Sequence, residues 1–194
     1  MANIDRISGF KPVRHLNGNP WNGKARMYYI AAGEGTATFI GDAVASAGSS
    51  DSTGKYATVA QAATTANVRG VVVGFSDQPH IATDVTNLYR AYRPASTAMY
   101  CLVVDDPDVI FEIQEDNDTN DMDADMVGLT ADFVVGSGDT SSGASAMQLD
   151  SSSTAAGGPC KILNVSNKED NELGTYCKWD ILFVEHELRS TTAV

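Results

Sequence analysis

Apolar positions in this chain fall in short clusters rich in Val, Ile, Tyr and Phe, each bounded by Gly, Ser, Asn or Asp. That texture suits pleated, half-buried strands separated by turns. It predicts strands at Arg26–Ile30, Thr36–Ile40, Tyr56–Ala60, Arg69–Phe75, Ala98–Val104, Val109–Gln114, Asp132–Val135, Cys160–Val165 and Lys178–Val184. Phe111 and Ile113 alternate with Glu112 and Gln114, the period-two signature of one dry and one wet face. Lys178–Ile181 begins in the same way, and Leu182–Phe183–Val184 then reads as burial on both sides. Helical patterning is thin: Val59–Ala66 and Val85–Tyr92 each have room for about two turns, but neither carries a strong apolar stripe. Stretches 46–54, 136–145 and 150–158, rich in Ser, Gly and Asp, read as loops. The expected fold is mainly β, a β-sandwich or barrel with long loops.

The beginning of the chain departs from this pattern. Gly9-Phe10-Lys11-Pro12-Val13-Arg14 is held extended by its proline, since the residue before a proline is pushed out of the helical region. Asn17-Gly18 and Asn22-Gly23 are turn signals on either side of Pro20-Trp21. With few aliphatic residues to build a core, residues 1–24 are expected to form an extended N-terminal arm on a single β-rich domain, 25–194. Such an arm either wraps its own domain or reaches onto a neighbour.

Charge sharpens the division. The 194 residues carry a formal net charge of −12, yet residues 1–33 hold Arg6, Lys11, Arg14, Lys24 and Arg26 against Asp5 alone. An acidic body is repelled by phosphate backbones, which argues against nucleic acid as a partner. No apolar run approaches the ~18–20 residues of a membrane span, and Met-Ala-Asn-Ile-Asp-Arg lacks the apolar stretch of a secretory signal. Synthesis in the cytoplasm is the expectation. Cys101, Cys160 and Cys177 are widely spaced in apolar surroundings and read as buried small hydrophobes, with no zinc or disulfide framework.

Candidate chemistry is sparse. Ten acids lie between Asp105 and Asp125 with no Lys or Arg among them, which invites calcium. Asp116-x-Asp118-x-Asn120 matches the start of an EF-hand loop, but Asp121 stands where Gly is needed and Val127 where a bidentate Glu is needed. A solvated acidic loop is the better reading, with a non-EF calcium loop as an alternative. An acid-pair hydrolase would need two carboxylates across a cleft. His15, His80 and His186 are far apart, and neither a Gly-x-Ser-x-Gly elbow nor His-Glu-x-x-His is present, although His186 sits between Glu185 and Glu187. Gly136-Ser137-Gly138 lacks the third glycine of a dinucleotide loop. The expectation is no enzyme, no cofactor and no metal. Trp179, in the last strand, reads as core; Trp21, in a polar turn, packs on its own domain or on a partner.

The strings Gly9-Phe10-Lys11-Pro12-Val13-Arg14-His15-Leu16-Asn17-Gly18 and Pro20-Trp21-Asn22-Gly23 resemble the opening of a family of head structural proteins of tailed bacteriophages. Arg69–Phe75, Asp105-Asp106-Pro107-Asp108, Phe111-Glu112-Ile113-Gln114-Glu115, Lys178-Trp179 and His186-Glu187-Leu188 extend the likeness nearly end to end. The resemblance implies a non-enzymatic virion protein, made in the host cytoplasm, that decorates the capsid exterior as a cement between capsomers. Its partners would be the major capsid protein and copies of itself, as a homotrimer or, second, a dimer. Phe10, Arg14, Trp21 and Arg26 are the expected interface residues, with the arginines pairing carboxylates of the shell. A carbohydrate- or calcium-binding β module on the head or tail is the alternative.

Overall fold

The structure is a computed structural model and describes residues 3–79, 90–118, 122–154 and 157–189. Its strands are β1 (Lys11–His15), β2 (Arg26–Ile30), β3 (Thr38–Phe39), β4 (Ala43–Ser50), β5 (Ala57–Gln61), β6 (Gly70–Ser76) and β7 (Tyr92–Arg93). Then follow β8 (Met99–Val104), β9 (Val109–Gln114), β10 (Thr130–Ala131), β11 (Phe133–Val134), β12 (Gln148–Leu149), β13 (Cys160–Val165) and β14 (Lys178–Phe183). Single 3-10 turns lie at Ala124–Met126 and Ser151–Ser153. The mainly β expectation holds. No helix among the described residues is long and apolar enough to cross a membrane.

Two lobes share the strands. One is a closed barrel in the order β2-β5-β4-β6-β8, antiparallel throughout except for the β2–β5 contact. The other is a five-stranded sheet in the order β1-β9-β14-β13-β10. The apolar doublets of the sequence are what join them. Val44, Val72 and Val103 point into the barrel core with Tyr28, Ile30, Phe75 and Cys101, whereas their neighbours Ala43, Val71 and Val104 point into the sheet core. A strand whose two faces meet two cores must be apolar at consecutive positions, because side chains alternate across it. Gly70 allows the crossing: a Cβ there would overlap the Val104 carbonyl.

The sheet core is aromatic. Phe10 packs on Phe183 (4.9 Å between ring centroids) and Phe133 (5.6 Å), and Trp179 is completely buried beside them. The supposed arm is therefore part of the body. Its residues 11–15 are β1, paired antiparallel with β9 from Lys11↔Glu112 to His15↔Val109. Its Phe10 is 1% exposed, so the boundary at residue 24 separates nothing structural. The chain then doubles back, with the Trp21 amide donating to the Val13 carbonyl and the His15 amide to the Asn19 carbonyl. That hairpin covers the free edge of β1, which would otherwise be a template for pairing with another chain.

Three local expectations change. Val59–Ala66 is not helical: Thr58 and Val59 are β-branched and buried in barrel strand β5, and pairing with β4 overrides a weak helical pattern. The predicted loop at 46–54 begins as strand, β4 running to Ser50 through a bulge, with the Ser49 amide and hydroxyl both bonded to the Thr58 hydroxyl. The wet face of β9 is covered, all six of its residues being buried. Of the second helical segment, residues 85–89 lie outside the described residues and Tyr92 opens β7.

Candidate functional site

The turn after β1 and the loop Asp105–Asp108 between β8 and β9 meet on the surface. Between them lies a cleft of about 340 Å³ walled by His15, Asn17, Asn19, Trp21, Lys24 and Asp106. A second, of about 360 Å³, continues past Lys24 and Asp106 to Arg26, Asp105, Pro107 and Leu188. Both open to solvent, so together they form one shallow groove. Two of the four expected interface residues, Trp21 and Arg26, stand in it. Trp21 is half-buried against the sheet core, its indole N–H donating to the Lys24 carbonyl at 3.2 Å. Arg26 has a side chain 70% exposed, with Nη1 3.3 Å from Asp105.

The other two are spent inside the molecule. Phe10 fills the sheet core. Arg14 reaches across the outer sheet face to Asp180, 2.9 Å away, whose side chain is buried. Part of the basic leader meets the acidic body within one chain: Asp105 pairs with Arg26 and Asp106 with His15 at 3.4 Å, while Asp108 takes Arg189 from outside the leader. The groove carries both signs of charge, not the cationic surface that residues 1–33 alone suggest.

Behind the groove runs a polar chain that sequence reading did not find. Asp105 accepts the Tyr28 hydroxyl at 2.7 Å, and Arg69 Nε donates to that same hydroxyl at 2.9 Å. Arg69 Nη1 lies 3.4 Å from Glu187, whose two oxygens also take the Ser46 amide and hydroxyl. Glu187 is thus a buried clamp between the C-terminal segment and β4. Only its place in Glu-His-Glu marked it, and that signal pointed to the histidine. His186 is itself buried and contacts no cleft described here. His80 lies outside the described residues.

The acidic segment is partly gathered. Oxygens of Asp116, Asp118 and Asp150 lie within 4.8 Å of one another, and the Ser151 hydroxyl bonds both Asp116 (2.9 Å) and Asp118 (2.8 Å). Asn120 and Asp121 of the EF-like frame lie outside the described residues. Three carboxylates fall short of the six to eight oxygens calcium takes. Glu112 and Asp180 face each other across β9 and β14, but Glu112 is held by Lys168 at 2.6 Å and Asp180 by Arg14, an arrangement that neutralises charge and activates neither acid. The cysteines are free and buried; burial pushes the thiol of Cys101 up to about 12 and that of Cys177 to about 11, which leaves them protonated and unreactive.

No protein-family model, no curated protein and no solved structure matches this chain.

Proposed function

We propose that this chain is a virion structural protein that decorates the exterior of a bacteriophage capsid and bridges neighbouring capsomers, binding the major capsid protein and copies of itself. The observation that carries the reading is the groove. Trp21, Leu16 and Leu188 expose apolar surface beside Arg26, Lys24 and Asp106 in a depression open along its length. Aromatic and arginine anchors within a polar rim suit contact with another protein surface. The phage-like strings Pro20-Trp21-Asn22-Gly23 and Asp105-Asp106-Pro107-Asp108 fall on the two walls of this groove. The interface set reduces to Trp21 and Arg26, because Phe10 and Arg14 stabilise the body.

Imaging of the assembled particle that carries this chain tests the proposal, with the groove expected against the shell or against a second copy. A groove facing open solvent on intact particles overturns the interface; absence of the chain from particles overturns the function. Deleting residues 1–24 is a poor test, since it removes Phe10 and β1 from the core. A binding comparison of Trp21→Ala and Arg26→Glu with the wild type on particles lacking the protein is cleaner, and each is expected to lose binding about tenfold or more, the ~1–2 kcal/mol of an interface anchor. The Asp116–Asp118–Asp150 group keeps calcium binding as the second reading. A thermal melt with and without chelator decides it, and an unchanged midpoint removes it.

A further inference from the structure

His186 is 2% exposed and sits where the last described segment crosses from the sheet to the barrel. Val68 binds that segment on both sides of the histidine, its amide donating to the Glu185 carbonyl (2.9 Å) and its carbonyl accepting the Glu187 amide (3.0 Å). The imidazole then holds the next residue in place: Nδ1 accepts the backbone amide of Leu188 at 3.1 Å. An Nδ1 that accepts carries no proton, so the neutral ring bears its hydrogen on Nε2. A proton on Nδ1 would set donor against donor and break the bond. Leu188 forms part of the wall of the groove beside Arg26 and Asp105.

We propose that His186 is an acid-operated latch: unprotonated, it seats Leu188 and with it that wall of the groove, and protonation at Nδ1 releases them. The groups facing it set the threshold. Burial lowers the affinity of the ring for a proton, Arg189 and Arg69 oppose a further positive charge, and Asp105 and Glu187 oppose them in turn; the net displacement is downward from 6.5. A histidine depressed in the closed state stabilises that state fully above the ordinary value near 6.5, and the stabilisation is lost as pH falls toward the depressed value. Between those two values each unit fall in pH raises the open population about tenfold. Glu187 is fastened separately, by the Ser46 amide and hydroxyl, so release begins at Leu188 and leaves the barrel closed. The inference rests on the geometry of the latch and not on what the groove binds.

The test is amide hydrogen exchange of the full chain from pH 7.5 to 4.5, corrected for the intrinsic rate, alongside an NMR titration of the histidines. Leu188 protection is expected to fall about tenfold per pH unit below the ordinary value near 6.5 and to level off at the His186 midpoint, while Val72 and Val103 in the barrel stay protected. In His186→Asn, whose Oδ1 is bonded to Cγ as Nδ1 is, accepts the same N–H and does not titrate, Leu188 protection is expected to be flat. Protection of Leu188 that ignores the His186 titration, or that keeps its pH dependence in His186→Asn, overturns the latch. Should that variant fail to fold, the levelling of Leu188 protection at the His186 midpoint in the wild type decides the matter alone.

Discussion

Two buried carboxylates on the outer face of the five-stranded sheet and two buried charges of the barrel lobe, Arg93 and Asp42, are held in opposite ways. On the sheet, Glu112 meets Lys168 and Asp180 meets Arg14, and both cations keep part of their surface in water. Asp105 and Glu187, beside the barrel, meet Arg26 and Arg69 in the same manner, whereas the partners of Arg93 and Asp42 are backbone and amide groups. Arg93, with no exposed surface, donates to the carbonyls of Thr97 (2.6 Å), Thr36 (2.7 Å), Glu34 (2.9 Å) and Ala31 (3.0 Å), so one side chain stitches the loop after β2 to the loop after β7. Asp42 accepts the Phe39 amide and the Gln61 side chain, each at 2.9 Å, and its other oxygen meets no hydrogen-bond partner among the described residues. The sheet face is a set of replaceable ion pairs. Arg93 and Asp42 depend instead on fixed dipoles.

The largest expected effect follows from that difference. Arg93→Met keeps the volume and takes the guanidinium donors from four carbonyls, of which Ala31 and Glu34 keep the Glu34 and Ser96 amides, and should cost about 2–4 kcal/mol by urea denaturation. The two lobes share β4, β6 and β8 as common walls of both cores, so the loss should lower a single unfolding transition, not split it. Two separate transitions would mean that the lobes are independent, against the doublets Val71–Val72 and Val103–Val104 that tie them together.

Lys168→Met should act more gently, about 1–2 kcal/mol at pH 7 after allowance for the solvent around the lysine. Burial by itself raises the Glu112 carboxyl, but the hydrogen bonds from Lys168 and Ser166 outweigh it and hold the group below its ordinary value. A depressed carboxyl adds stability above its unfolded value of 4.5, and that stability goes as pH falls through the folded one. The difference between wild type and Lys168→Met should therefore be full at pH 7 and shrink toward pH 3. Arg26→Ala should be smaller still, within about 0.5 kcal/mol, because its guanidinium is largely in solvent and Asp105 retains Tyr28. A larger loss would make Arg26 part of the body and remove it from the interface.

What could be read beforehand divides along the same line. Val109–Gln114 and Cys160–Val165 match the predicted bounds, because Val, Ile and Phe on a pleated surface announce themselves within a single strand. Phe10 did not, because its partners Phe133 and Phe183 are distant in sequence and the polar residues around it read as loop. The charge blocks misled for a related reason: opposite charges in one chain are each other's nearest partners, and Arg14–Asp180 shows that a basic leader need not seek another molecule. Trp21 and Arg26 are singled out by residue type alone, and the structure adds only that both stand in one groove. Arg93 was invisible, since carbonyl partners leave no mark on side-chain patterns, and Glu187 lay hidden beside the more conspicuous His186.

Asp42 gives the finest test of the contrast, because its pH dependence should run opposite to that of Glu112. Burial raises its carboxyl, and the Ser145 hydroxyl and the Phe39 and Gln61 amide donors that oppose it lack the full charge of a lysine. A raised carboxyl contributes stability that is fully present below the unfolded value of 3.8 and is lost as pH climbs through the folded value. Asp42→Asn removes the ionisation while leaving an oxygen for the Phe39 amide, so its cost at neutral pH should be under about 1 kcal/mol. The cost should be greatest near pH 3.5 and decline toward pH 7, the reverse of Lys168→Met, in urea melts at the same set of pH values. Equal slopes in the two variants would mean that Asp42 has found a cation after all, and the division between paired and dipole-held charge would then fail at its sharpest point.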